Sequence, residues 1–163
     1  MKVTKYNLLL NEEGVNVLVK ESSRYCRDIS HLDSSRNIAY MMSMIYDAER
    51  LPEEHIWLLA LNNKYKLIGT FEVAHGLVDQ CLVSPREIFA RACLSGASAI
   101  VIVHNHPSGE ILPSEEDDAF TKKISYAGML MGIKLIDHII IGAYCGYYSY
   151  SDEKNPVLKG EIK

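Results

Sequence analysis

The first pattern along the chain is a strand pattern. Tyr6–Leu10 and Val15–Lys20 are strand-like runs separated by Asn11–Gly14, which predicts a hairpin. Asp33, Ser34 and Ser35 then offer a helix cap. Ile38, Met41, Met42, Ile45 and Tyr46 recur at helical spacing, so the methionines read as core residues on one helix face. Pro52 ends that segment. Two strands are expected next, His55–Leu61 and Lys66–Ala74, joined by a turn at Asn62-Asn63-Lys64. Ser84-Pro85-Arg86-Glu87 combines a capping serine, a proline at the first helical position and a glutamate three residues after the serine. A helix should run from there to about Ser95, with Gly96 near its end. Ala99–Val103 is continuously apolar, as a central strand covered on both faces must be. Ser114 opens another helix and Gly132 closes it. Lys134–Ile141 and Tyr144–Ser151 predict a final hairpin around Gly142.

This order predicts a mixed β-sheet flanked by helices, an α/β (α+β) layer fold. Residues 1–34 read as a strand-like appendage, 35–152 as the main domain, and 153–163 as a polar, frayed tail. A length of 163 residues suits one domain with one sizeable core. The hydrophobic share of 48 % and charged share of 23 % are those of a globular protein. The formal net charge of −4 weighs against a protein that holds nucleic acid mainly through its phosphates. Cys26, Cys81, Cys93 and Cys145 are far apart and form no C-x-x-C pair, which argues against a cysteine zinc site or a thioredoxin-like motif. No stretch approaches the ~20 apolar residues of a membrane span, and the first apolar run is too short for a signal peptide. A cytoplasmic protein with reduced thiols and no membrane partner is therefore expected.

Candidate chemistry is concentrated in one segment. His104-Asn105-His106-Pro107-Ser108-Gly109 follows the apolar strand, and Pro113-Ser114-Glu115-Glu116-Asp117 opens the next helix. Period-two geometry puts the His104 and His106 imidazoles on one side of the backbone. Asp117, in the first helical turn, can return a carboxylate to the same point. Two histidines and one carboxylate make three protein ligands with a fourth position left for water, the catalytic pattern for zinc. Such a water needs a base, and Glu72 is the candidate. It lies on the Lys66–Ala74 strand, pointing away from the face of Leu67, Phe71 and Val73. Each residue also has a plainer role. Ser114 and Asp117 suit a helix capping arrangement, the histidines suit a polar strand end, and Glu72 suits an exposed strand. The combination H-x-H-x₇-S-x₂-D behind a buried strand is far more specific than any of its parts. His31, His55 and His75 have no partner in sequence and read as structural or exposed. Asp137 and His138 point to opposite faces of one strand; either suits orientation of a ligand from behind, and packing explains them equally well.

With these residues in view, the chain resembles the JAB/MPN (JAMM) metallopeptidase domain in its RadC-like form, over roughly Ser35 to Ser151. The resemblance is carried by VHNHPSG, the PS..D after it, the PRE of Pro85–Glu87 and the DHIIIG of Asp137–Gly142. It implies a JAB/MPN (cytidine-deaminase-like) layer fold with one Zn²⁺ per chain on His104, His106 and Asp117. It implies Glu72 as general base and Ser114 as donor to the oxyanion of a tetrahedral intermediate. The implied activity is zinc-dependent hydrolysis of peptide, isopeptide or related amide bonds in a peptide or protein substrate. The competing expectation is a non-catalytic metal-binding interaction module associated with DNA repair or mobile-element functions. Longer RadC-like proteins resemble a fusion to a helix-hairpin-helix module, for which the strand-like residues 1–34 are too short. Zinc deaminases need H-x-E with P-C-x-x-C and zincins H-E-x-x-H, and neither motif is present.

Overall fold

Residues 1–76 and 83–159 are described in the computed structural model. Among them the chain order is β1 (Lys2–Leu10), β2 (Asn16–Tyr25), α1 (Ser35–Tyr46), β3 (Glu54–Leu61), β4 (Leu67–Gly76), α2 (Pro85–Leu94), β5 (Ala99–Asn105), α3 (Glu115–Met131), β6 (Lys134–Ile141) and β7 (Tyr147–Ser149), with short 3-10 helices at Ala48–Arg50 and Pro156–Lys159. The strands form one mixed sheet in the order β2-β1-β4-β3-β5-β6-β7. Pairs β1/β4 and β5/β6 are parallel; β1/β2, β3/β4, β3/β5 and β6/β7 are antiparallel. The expected α/β layer fold is observed.

The reason for the continuous apolar run is now visible. All of β5 is buried, and its alternate residues feed two cores. Val101 and Val103 pack with Trp57, Leu59, Met41, Met42 and Ile45 beneath α1. Ile100 and Ile102 pack with Ile56, Leu58, Phe71, Ile88 and Ile124 beneath α2 and α3. Met41 and Met42 are fully buried, as their helical spacing predicts. Local signals set the helix ends. Ser34 Oγ accepts from Asn37 N at 3.3 Å at the start of α1, and the Glu87 carboxylate accepts from Ser84 N at 3.1 Å at the start of α2. Gly132 ends α3 in the left-handed region at φ 68°, where a residue without Cβ is favoured.

Residues 1–34 add to the sheet: β1 pairs with β4 at Lys5↔Thr70 and the hairpin extends its edge. Two expectations change. Leu67 does not share a face with Phe71. A register shift between Ala60 and Leu61 leaves Leu67 against the α1 core and Phe71 in the other, because a bulge breaks period-two alternation. The polar tail is not frayed as far as residue 159: Ser125 Oγ donates to Leu158 O at 2.6 Å, docking the last 3-10 turn on α3. Residues 160–163 lie outside the described range, as does Cys81.

The parallel β5/β6 pair also buries Asp137 on the α1 side, opposite Val101. Ser149 Oγ donates to its carboxylate at 2.6 Å and Ser151 N at 2.9 Å. Burial nevertheless pushes its pKa up to about 6, against those hydrogen bonds. The fold thus prefers the protonated acid. As pH rises from about 4 to 6 the unfolded chain loses this proton first, so the contribution to stability falls across that window. Two pKa units correspond to roughly 3 kcal/mol. Asp137→Asn should flatten the stability–pH curve between pH 4 and 6, which urea denaturation across that range measures; an unchanged slope would exclude Asp137 as its source.

Candidate metal centre

The centre lies where β5 runs out beneath the start of α3. His104 is paired with Ile56 of β3 and Ile140 of β6. It is 4 % exposed and faces the α2/α3 side with Ile100 and Ile102. His106 continues the ladder for one more bond, its N–H donating to Ile141 O at 2.8 Å. The chain then turns, and α3 begins with a capping box. Asp117 N donates to Ser114 Oγ at 3.1 Å and Ser114 N to Asp117 Oδ2 at 2.8 Å. That box aims the carboxylate back at the strand end. His104 Nε2 stands 3.1 Å from Asp117 Oδ1, His106 Nε2 3.4 Å from Asp117 Oδ2, and the two Nε2 atoms are 2.9 Å apart. Donors about 2.1 Å from one tetrahedral metal lie about 3.4 Å from each other, so the spacing is close to that of a ligand set.

Hydrogen bonds on the far sides of the rings decide which nitrogens carry lone pairs. His106 Nδ1 meets the Glu110 carbonyl at 2.9 Å. A carbonyl only accepts, so the proton sits on Nδ1 and the neutral ring offers Nε2. Behind His104 a chain of four groups does the same. Thr121 Oγ1 donates to Asp117 O at 2.6 Å and so accepts from His138 Nδ1 at 2.5 Å. His138 Nε2 then accepts from His104 Nδ1 at 2.8 Å, which leaves the His104 Nε2 lone pair facing Asp117. Burial, with the His104 charge, drives the His138 pKa well below the ordinary value and keeps that ring neutral. Burial pushes the Asp117 carboxyl up, yet hydrogen bonds from His104 and His106, the His104 charge and the Ser114 hydroxyl hold it far below the usual carboxylate range. Burial lowers the His106 pKa, and the hydrogen bond and charge of Asp117 reverse that to a net rise. A proton and a metal cation therefore compete for the same nitrogen.

Ser114 lies at the centre, with its hydroxyl donating to Asp117 Oδ2 at 2.7 Å. Glu72 does not. It pairs with Trp57, whose ring belongs to the α1 core, so its carboxylate is on the opposite face of the sheet from His104. There it meets Lys5 Nζ at 3.0 Å, His55 Nδ1 at 3.1 Å and His75 Nδ1 at 3.3 Å. His55 and His75, expected to lack partners, are its neighbours.

The carboxylate that the register brings to the centre is Glu54. Antiparallel pairing of Ile56 with His104 puts Glu54, two residues earlier, across from His106 on the same face. Its negative charge is among the causes that raise the His106 pKa. The Asn105 side chain clamps both flanks of Glu54, accepting from His55 N at 2.8 Å and donating to Glu53 O at 2.9 Å. The sequence carried a signal for it. Glu54, Ile56, Leu58 and Ala60 alternate, so a strand begun one residue before His55 puts a carboxylate on the face of Ile56.

Fold and site together define a three-layer α/β domain with a two-histidine, one-carboxylate group that could hold a metal ion. The sequence pattern of the RadC-like JAB domain matches residues 32–155, and the chain belongs to that family. It is 37 % identical over 135 residues to a UPF0758 protein of Actinobacillus pleuropneumoniae serotype 5b (strain L20), covering 82 % of this chain and 61 % of that one. It is 37 % identical over 123 residues to a UPF0758 protein of Thermotoga maritima, covering 75 % and 53 %. It is 40 % identical over 116 residues to a UPF0758 protein of Staphylococcus aureus (strain bovine RF122 / ET3-1), covering 67 % and 51 %. The chain thus spans between about half and three fifths of these relatives' length. No helix among the described residues is long and apolar enough to cross a membrane.

Proposed function

We propose that the chain is a zinc-dependent hydrolase of peptide, isopeptide or related amide bonds. The observation that carries this reading is the convergence of His104 Nε2, His106 Nε2 and an Asp117 carboxylate oxygen within 4.8 Å of one another. Both imidazoles are held, by bonds at Nδ1, in the tautomer that offers Nε2. Two nitrogens and one oxygen form a donor set of the borderline kind that zinc prefers, and three protein ligands leave a position open.

When bound, zinc supplies a water acidified to a pKa of ~7 and a Lewis acid for a carbonyl oxygen. Glu54, a carboxylate on the face of His106 and held by its neighbours, would serve as the base, taking up a proton at its carboxylate and giving it to the leaving amine. Ser114 caps α3 and orients Asp117; its hydroxyl, swung from Oδ2, is the donor for the developing oxyanion. Gly109 and Gly142 let the loops beside the site approach closely, since a Cβ on Gly142 would stand 2.5 Å from Gly109 O. The substrate is a peptide or protein.

The test is elemental analysis of protein purified without chelator or affinity-tag metal, alongside a panel of isopeptide-linked and linear peptides with and without chelator. His104→Ala/His106→Ala should hold one zinc equivalent fewer than the parent and cleave nothing. Equal zinc in both proteins would remove these histidines from the ligand set. A parent that holds the metal and cleaves no member of a broad panel would favour the interaction-module reading.

A further inference from the structure

The cluster on the other face of the sheet is a second site of the same donor chemistry. His55 Nδ1 and His75 Nδ1 stand 3.1 and 3.3 Å from one carboxylate oxygen, Glu72 Oε1. Those separations again approach the ~3.4 Å between donors of one tetrahedral metal. From them we infer that His55, Glu72 and His75 bind a divalent transition-metal ion, independently of the His104 centre.

Four features support it. First, the donors come from two adjacent strands in register, because His55 of β3 pairs with His75 of β4. Their rings stack at 5.3 Å with an interplanar angle of 24°, so both Nδ1 atoms are aimed before any ion arrives. Second, the platform is rigid. His55 lies flat on Trp57, at 5.4 Å and 11°, and its backbone N–H is fixed by Asn105. Trp57 is 1 % exposed. Third, the carboxylate is divided between two tasks. Lys5 Nζ holds Oε2 at 3.0 Å, and Glu21 stands 3.3 Å from the same ammonium. Oε1 is left to the two imidazoles. Fourth, the site has an open side. The His75 side chain is 63 % exposed while those of His55 and Glu72 are 16 % and 24 % exposed, so an ion held here keeps positions for water or a further ligand.

Two imidazoles and one carboxylate suit Zn²⁺, Co²⁺ or Ni²⁺ far better than Ca²⁺ or Mg²⁺, which take oxygen ligands. The plainer alternative is a carboxylate that accepts two imidazole N–H bonds and a lysine. The two differ in whether a metal displaces those protons.

The chain's one tryptophan is Trp57, directly beneath His55, and reports on this site. Full-length protein stripped of metal is titrated with Co²⁺ alone, following bound equivalents, visible absorption and tryptophan fluorescence. Two equivalents are expected for the parent. His104→Ala/His106→Ala should keep the one that quenches Trp57. His75→Ala should lose that one, with at least 10-fold weaker binding, and keep the other. His75 is exposed, so His75→Ala should fold, which far-UV circular dichroism checks even if the double variant does not. A parent that takes up no cobalt that quenches Trp57, or a folded His75→Ala protein that binds it with full quenching and parent-like affinity, would overturn the assignment, whereas loss of only the non-quenching equivalent would count against the His104 centre.

Discussion

Glu54→Gln is expected to fold, to keep its metal at the His104 centre, and to lose amide hydrolysis by about 10²–10⁴-fold, the usual worth of general acid–base help. Glutamine keeps the volume of the side chain and removes the basic oxygen. Metal content should not change, because His104, His106 and Asp117 already supply three donors. Stability should change little, since Glu54 is at a strand start and only half-buried. The informative partner is Glu72→Gln. The two carboxylates are on opposite faces of the sheet, as the pairings Trp57↔Glu72 and Ile56↔His104 require. Glu72→Gln should therefore retain hydrolysis while weakening the ion cluster around Lys5. Steady-state cleavage of the best substrate in the panel measures both. The reverse result, with Glu72→Gln inactive and Glu54→Gln active, would assign the base to the other face and reject the geometry proposed for it.

His138→Leu should weaken metal binding at the His104 centre by about 10–100-fold, the usual effect of removing a partner that orients a metal-ligating histidine. His138 touches no donor oxygen and is 1 % exposed, stacked on Tyr150 at 5.1 Å. Its influence runs through one bond, from His104 Nδ1 to its Nε2 at 2.8 Å. Without that acceptor nothing holds the His104 proton on Nδ1, and the tautomer with Nε2 protonated, useless to a metal, becomes populated. Leucine fills much of the space, so the fold should survive at some cost in stability. Thr121→Val removes the group that orients His138 in turn and should act in the same direction with a smaller effect. Competition with a chromophoric chelator at fixed pH gives both affinities. Parent-like affinity in a folded His138→Leu protein would show that Asp117 alone sets the His104 ring.

Much of this was readable from the chain. Ser84 and Ser114 were recognisable as caps, Ser34 as one of three candidates with Asp33 and Ser35, and the run at Ala99–Val103 as the central strand, because these signals are local: a side chain answers to neighbours three or four residues away. The H-x-H and S-x-x-D elements were legible for the same reason. One sits on two alternate residues of a strand and the other on one helical turn. The spacing between strand and helix allowed the two elements to meet, and the resemblance to the JAB/MPN domain implied that they do.

Which carboxylate and which histidines join them was decided only by tertiary structure. Glu54 and Glu72 are both glutamates on strands rich in apolar residues, and nothing within either strand says which face will meet α3. Strand order, with β3 between β4 and β5, put Glu54 across from His106. It left Glu72 opposite Trp57, between His55 and His75. The register shifts along β3/β4 broke the alternation on which a reading of faces from sequence depends. His138 is separated from His104 by 34 residues and became its partner because β5 and β6 pair in parallel, beneath the same helix. Long-range pairing of this kind is set by the packing of two whole cores against one sheet, and no residue carries it alone.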